Sequence, residues 1–199
     1  MRPRHIFSTV AATLLLGLPA QADRLPLDAL SAYFNAMKTA EAAFTQINDD
    51  GSISTGRVYI KRPGKVRFEY DPPEQAMVLA SANTVAIFDG RSNQPPETYP
   101  LHRTPLSVIL DRTVDLGRAE MVVGHDYDGI ATTVTAQDPE HPEYGQIELR
   151  FTAEPVELRQ WIIDDGSGAR TTVVLGEMQT GHPLTNLMFD IRYHMDQQY

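Results

Sequence analysis

The stretch Phe44-Thr45-Gln46, Asp49-Asp50-Gly51, Gly56-Arg57-Val58-Tyr59-Ile60-Lys61-Arg62-Pro63-Gly64, Val66-Arg67-Phe68-Glu69-Tyr70 and Pro72-Pro73 decides the fold class. Apolar and polar residues alternate through it, so each piece reads as a strand with one apolar face. Val58 and Ile60 oppose Arg57, Tyr59 and Lys61. Val66, Phe68 and Tyr70 oppose Lys65, Arg67 and Glu69. Arg62 falls at the turn that ends the second strand, beside the rim of whatever the apolar face encloses. An apolar sheet face with one cation at its edge suits a holder of apolar cargo better than an active site.

The same rhythm extends outward. Ala42-Phe44-Gln46 and Ala43-Thr45-Ile47 form the two faces of the first strand. Ala76 to Ala80 and Val85 to Phe88 are apolar on both faces, which predicts strands covered on each side. After Gly117, strands are predicted over Met121 to Val123, Ile130 to Thr135, Ile147 to Phe151, Leu158 to Ile163 and Thr171 to Met178. Asp89-Gly90 and Asp128-Gly129 have the composition of hairpin turns, and Asp164 to Gly168 that of a looser one. Arg91 to Pro100, rich in Asn, Gln and Pro, reads as a loop.

Two segments follow the helical period. The segment Arg24 to Asn35 opens with Pro26 at the start and Asp28 in the first turn, and Leu27, Leu30, Phe34 and Met37 recur at three- and four-residue steps. Thr104-Pro105 reads as the N-cap and first residue of a short helix whose apolar face is Leu106, Ile109 and Leu110. Strands with two helices and no repeats predict an α+β protein: one curled antiparallel sheet with helices packed on one face, the apolar side of the curl making a trough.

The amino terminus sets the expected compartment. Arg2 and Arg4 precede an apolar run, Ile6 to Leu18, shorter than the about 20 residues a bilayer span needs. Ala20-Gln21-Ala22 is a small-x-small cleavage site, so residues 1–22 read as a secretory signal peptide and 23–199 as one exported domain. No later run is long enough to span, so no stable membrane insertion is expected, and in a bacterium the destination is the periplasm. The chain has Lys+Arg 17 against Asp+Glu 26, a formal charge of −9, and loss of the leader makes it more acidic still. That balance argues against nucleic acid, which is bound through cationic contacts to phosphates. The chain has no cysteine, which excludes disulfides, thiol catalysis and thiolate metal sites.

The residues of catalysis are not assembled in any recognisable order. His102, His125, His141, His182 and His194 lack the four-residue pairing of a helical zinc motif. His125-Asp126-Tyr127-Asp128 is the densest polar cluster, but it precedes a turn glycine, where solvated residues belong. No Gly-x-Ser-x-Gly elbow and no glycine-rich phosphate loop before a helix is present. The reading is a non-enzyme without cofactor or metal.

Taken in order, the exported N-terminal helix, Phe44-Thr45-Gln46, the Gly56 strand ending in Lys61-Arg62-Pro63, Phe68-x-Tyr70-x-Pro72 and Thr104-Pro105-Leu106 resemble the periplasmic outer-membrane lipoprotein carriers of Gram-negative bacteria, the LolA-like family. The resemblance spans nearly the whole mature chain. It implies an incomplete β-barrel whose N-terminal helix and mid-chain lid helix cover an apolar cavity for acyl chains, with acylated lipoproteins as cargo, loaded by an inner-membrane releasing complex and unloaded to an outer-membrane receptor; a monomer is expected. It also implies a functional arginine at Arg62, a latch expected to donate to lid-helix carbonyls around Leu106 to Ile109. Leu30, Phe34, Phe44, Phe68, Met77, Leu106, Ile109, Ile147 and Trp161 are the candidates for the acyl cavity, with plain core packing as the alternative for each. Met37, Met121 and Met178 would likewise suit an adaptable pocket. Two features depart from the family pattern. The terminal Leu187 to Tyr193 lacks the usual Pro-Pro-Gly turn, and Asn83-Thr84-Val85 lacks the usual Asp-Gly turn. A lipid or lipoprotein sensor, or a carrier of another apolar molecule on the same fold, remains an alternative.

Overall fold

Period-two segments pair into one antiparallel sheet. The computed structural model describes residues 24–92, 94–118 and 121–198; the signal-peptide reading of residues 1–22 lies outside them. After helix α1 (Leu27–Ala36), six strands run as a meander: β1 (Thr39–Ile47), β2 (Ile53–Lys61), β3 (Lys65–Tyr70), β4 (Met77–Ser81), β5 (Thr84–Phe88) and β6 (Glu97–Pro100). A crossover, residues 101–121, contains the short helix α2 (Ser107–Leu110) and carries the chain to the opposite edge. From there β7 (Val122–Tyr127), β8 (Thr132–Gln137), β9 (Gln146–Thr152), β10 (Glu157–Asp164) and β11 (Arg170–Leu175) step back until β11 pairs with the free side of β1. The path is β6-β5-β4-β3-β2-β1-β11-β10-β9-β8-β7, and the two-residue β12 (Gln179–Thr180) also pairs with β1. The predicted strand Thr171 to Met178 is thus interrupted after Leu175, where the Gly176 N–H donates to Ala43 O at 2.8 Å.

The sheet curls strongly. Phe68 on β3 and Trp161 on β10 meet edge to face with ring centroids 6.0 Å apart, although β2, β1 and β11 lie between their strands. Twist accumulated over several strands brings the two halves of the inner face into contact. A glycine allows the close approach of β2 to β3: a Cβ on Gly56 would lie 2.0 Å from the Glu69 carbonyl oxygen and 2.8 Å from the Phe44 ring.

The inner face holds the main core. Leu30 and Phe34 of α1 enter it, with Phe44, Val58, Ile60, Val66, Phe68, Ile147, Leu149, Phe151 and Trp161 from the strands and Ile109, Leu110, Val114 and Leu116 from the crossover. Pro26 stands at the N-cap of α1 with extended dihedrals, one residue before the position expected.

The outer face is not bare, which corrects the expectation of helices on one face only. The terminal segment forms a 3-10 turn (Leu187–Phe189) and a helix, α3 (Ile191–Gln198). Phe189 packs there with Leu79, Ala86 and Phe88, flanked by Met77, Leu184, Ile191 and Met195. The two-sided apolarity of β4 and β5 is explained: Val78, Ala80 and Val85 face the inner core, while Leu79, Ala86 and Phe88 face the terminal segment.

Two local expectations also need correcting. Glu97–Pro100, predicted as loop, is an edge strand on β5; all four residues are exposed, so no burial alternation marks it. Thr104 does not cap a helix with its side chain, because its hydroxyl donates back to Leu101 O at 2.8 Å and regular helix begins only at Ser107. The β4–β5 turn lacking Asp-Gly is made by Ala82 and Asn83, both in the left-handed region at φ 47° and 61°. That is the backbone of a tight two-residue hairpin, which asparagine tolerates better than alanine.

Candidate functional site

Arg62 follows β2 directly, and its main chain is fixed by its N–H donating to Lys38 O at 2.9 Å. The side chain turns inward and is 9% exposed. Nη1 donates to the carbonyl of Phe34 in α1, and Nη2 donates to the carbonyl of Asp111, just past α2, at 2.6 Å. The acceptors therefore differ from the expected Leu106 to Ile109 carbonyls. One is the exposed end of the α2 turn and the other belongs to α1, so a single guanidinium ties both helical segments to the sheet rim. Burial lowers the Arg62 pKa, and the Asp111 carboxylate opposes the shift; arginine's ordinary value is so high that the group remains a cation. Two ionic donors to carbonyls contribute about 1.5–3 kcal/mol each.

Other bonds reinforce this junction. Gly64 N–H donates to Leu110 O at 2.8 Å. Ser31, buried in α1, donates its hydroxyl to Leu27 O at 2.8 Å and accepts the Leu116 N–H at 2.9 Å. Asn35 pairs twice with Val114: its Nδ2 donates to Val114 O at 2.8 Å, and its Oδ1 accepts the Val114 N–H at 2.9 Å. The crossover, residues 110–116, is thus strapped to α1 and to the β2–β3 turn by polar bonds, while Val114 and Leu116 bury their side chains beneath. Sequence reasoning missed Ser31 and Asn35. A signal for Ser31 existed, since it lies four residues after Leu27 and three before Phe34, a polar side chain on the apolar stripe.

The two motifs Phe44-x-Gln46 and Phe68-x-Tyr70 form one unit at the inner face. Phe44 packs edge-on against Phe68 and Tyr70, with centroids 5.4 and 5.2 Å apart, and the Tyr70 hydroxyl donates to Gln46 Oε1 at 2.7 Å. Burial pushes the Tyr70 pKa up to about 12, so the phenol keeps its proton. Under α1, Phe34, Tyr33 and Phe151 make a second aromatic cluster with centroids 5.5–5.8 Å apart.

Of the acyl-cavity candidates, Leu30, Phe34, Phe44, Phe68, Ile109, Ile147 and Trp161 are brought together in the inner core, and Leu106 packs at its margin half-buried. Met77 is not among them. It shares a face with Leu79 and packs against the terminal segment on the outer side, because alternate residues of a strand point to opposite faces. The inner-core residues are packed together and buried. A cleft of about 610 Å³ lies at the mouth, bordered by Gly64, Asn83, Ser107, Asp111, Arg118 and Glu140, and none of the candidates lines it. Among the described residues, α1 and the crossover cover the apolar inner face in this conformation.

The histidines are dispersed. His125 Nε2 meets Leu25 O at 2.9 Å, His102 meets Asn83 at 3.1 Å, and His141 meets Glu143 at 3.0 Å. His194 contacts Arg67 at 2.7 Å on the outer face. Among the described residues no helix is long and apolar enough to cross a membrane.

An open half-barrel, its apolar inner face covered by an N-terminal helix and a crossover that one buried arginine joins, defines a class of curled open-sheet proteins. The family model described as "Outer membrane lipoprotein carrier protein LolA" matches residues 35–192, and the chain belongs to that family. The chain is similar to the outer-membrane lipoprotein carrier protein of Azotobacter vinelandii, 24% identical over 182 residues that cover 87% of each chain. It is similar also to that of Cupriavidus necator, 27% identical over 199 aligned positions that cover 92% of each. In fold it resembles a DUF1329 family protein from Desulfovibrio piger, with a TM-score of 0.51 at 10% identity, covering 82% of this chain and 94% of that one.

Proposed function

We propose that this chain is a periplasmic carrier that shelters lipoprotein acyl chains in its sheet and ferries lipoproteins between the inner and outer membranes. The observation that carries the reading is the Arg62 junction. A buried cation holds two helical segments over an otherwise apolar inner face by main-chain carbonyls alone. Such a plug can leave without any change in the sheet's own ladder.

The energetics require a removable plug. Each CH₂ transferred from water is worth about 0.8 kcal/mol, and a triacyl anchor has on the order of forty of them, so its gross exposure cost is tens of kcal/mol. The empty sheet faces the same problem with its own apolar wall, and the helices solve it by filling the trough. Loading exchanges one set of hydrocarbon for another, so net affinity stays moderate and release stays possible. The two Arg62 bonds then bias the empty state toward closure by factors of about 10 to 1000. Arg62 is the latch in this scheme. Leu30, Phe34, Phe44, Phe68, Leu106, Ile109, Ile147 and Trp161 line the volume that opens.

In the same reading, the leader is cleaved after Ala22, residues 23–199 act as a monomeric single domain, an inner-membrane releasing complex loads the carrier and an outer-membrane receptor unloads it. The test is to purify the protein from its own periplasm and identify co-purifying molecules by mass spectrometry. Acylated lipoproteins are expected. Recovery of small lipids alone would transfer the fold to another cargo, and recovery of a regulatory protein in place of lipids would make it a sensor.

A further inference from the structure

Among the described residues, the sheet's inner wall holds a buried polar atom with nothing to bond. Trp161 is 1% exposed, and among the described residues its indole Nε1–H has no hydrogen-bond partner. The other orphaned donors, Arg62 Nε and Arg67 Nε, belong to guanidinium groups whose remaining nitrogens are bonded. For Trp161 the orphan is the only polar atom the side chain has. The neighbours that face it are apolar: the cross-strand partners are Leu149 and Val173, and the ring across the trough is Phe68. A buried donor left unpaired is destabilising, and buried indole N–H groups usually find an acceptor.

The position of this donor is as informative as its isolation. Trp161 stands on β10, in the sheet, and not on α1 or the crossover. When those two withdraw, Trp161 stays as part of the wall. The missing acceptor must then come with the guest. In a wall of hydrocarbon the acceptor has to bring no donor of its own, since that donor would be orphaned in turn. An amide carries an N–H, a carboxylic acid carries an O–H or a charge, and an ester carries acceptors only.

We infer that the Trp161 indole N–H donates to an ester carbonyl of the guest and makes the trough selective for O-acyl chains over plain hydrocarbon. The inference rests on the carrier reading above and deepens it by naming the functional group that is recognised.

The test uses the mature chain and two pyrene probes of equal chain length, the methyl ester of a pyrenyl fatty acid and the corresponding pyrenylalkane, with binding read from pyrene emission. Wild type should prefer the ester by about fivefold, equivalent to ~1 kcal/mol for one neutral hydrogen bond. Trp161→Phe, which keeps an aromatic ring and removes the donor, should bind both probes alike. An ester-to-alkane ratio that is the same in both proteins overturns the inference while leaving the carrier reading intact. Failure of wild type to bind either probe removes both.

A second measurement needs no variant. The chain contains a single tryptophan, so its intrinsic emission reports this site alone. Hydrogen bonding at the indole N–H moves emission to the red. Methyl dodecanoate presented on cyclodextrin should therefore produce a red shift that dodecane does not, and identical spectra with the two overturn the inference even if Trp161→Phe fails to fold.

Discussion

Arg62 makes a small set of bonds that hold large segments, so its replacement should alter behaviour more than folding. Arg62→Leu keeps an aliphatic side chain at the rim and leaves the Phe34 and Asp111 carbonyls without their donor. The sheet ladder does not involve either bond. The variant is therefore expected to fold and to take up lipid, with its empty closed form depopulated and cargo release to an acceptor impaired. A transfer assay with acceptor membranes checks this, and transfer at the wild-type rate would remove Arg62 from the mechanism. Ser31→Ala tests the neighbouring strap. Alanine is the better helix former by a few tenths of a kcal/mol, but the buried Leu116 N–H loses its acceptor, a loss of about 1–3 kcal/mol. Net destabilisation is expected, seen as a lower urea midpoint at unchanged m-value; a raised midpoint would mean that Leu116 finds another partner. The position of Arg62 at a strand end was legible from the run Lys61-Arg62-Pro63, and its expected part as a donor came from the family resemblance. Its acceptors were not legible, because main-chain carbonyls have no signature in sequence and only the fold brings Phe34 and Asp111 to one place.

At the scale of elements, alternation was read best where one face is buried and the other is wet. In β9, Ile147, Leu149 and Phe151 are fully buried between half-buried polar residues, and the predicted strand follows closely. Strand β6 has no buried residue, so its pairing with β5 left no pattern to read. Helix α3 was missed for a related reason: its few apolar residues, Ile191 and Met195 among them, touch only a small outer cluster. The clue to it lay elsewhere, in the second apolar face of β4 and β5. The docking of α3 has a titratable contact. His194 Nε2 lies 2.7 Å from Arg67 Nη1 and 3.3 Å from Met188 O. One nitrogen cannot accept from the first and donate to the second, and the shorter contact assigns it as an acceptor, with the ring neutral. Burial and the Arg67 charge lower the His194 pKa below the ordinary 6.5, opposed by the Met188 carbonyl and by Asp190 and Glu69. Because the folded value lies below the unfolded one, the unfolded chain binds the proton more readily. Stability from this contact is present above about pH 6.5 and is lost as pH falls through the folded pKa. Denaturation midpoints from pH 7.5 to 5 should fall more steeply in wild type than in His194→Gln, and equal slopes would exclude His194 as the source.

For the whole molecule the question is what moves. The inner face of an eleven-strand path has no helix of its own, and every helix that covers it comes from a segment outside the ladder: α1 precedes β1, and the crossover joins the two edges. Strand order makes this unavoidable, because the chain leaves β6 and re-enters at β7 and must pass the open side of the curled sheet to do so. Cargo that takes the place of these segments should leave the sheet bonds unchanged and break the straps. Amide hydrogen exchange separates the two. In the empty protein the Val114 and Leu116 amides, held by Asn35 and Ser31, should be protected along with the β1 and β11 amides around Gln46 and Val173. On loading with an acylated lipoprotein, protection at Val114 and Leu116 should fall while the β1–β11 amides stay slow. Protection that rises everywhere would mean that guests bind without displacing the plug, in the cleft at the mouth beside Asp111 and Arg118 instead. Protection that falls everywhere would mean that the sheet itself opens, and the latch at Arg62 would then control nothing. The selective pattern is expected because the straps rest on a few side-chain bonds, whereas the ladder is continuous from edge to edge.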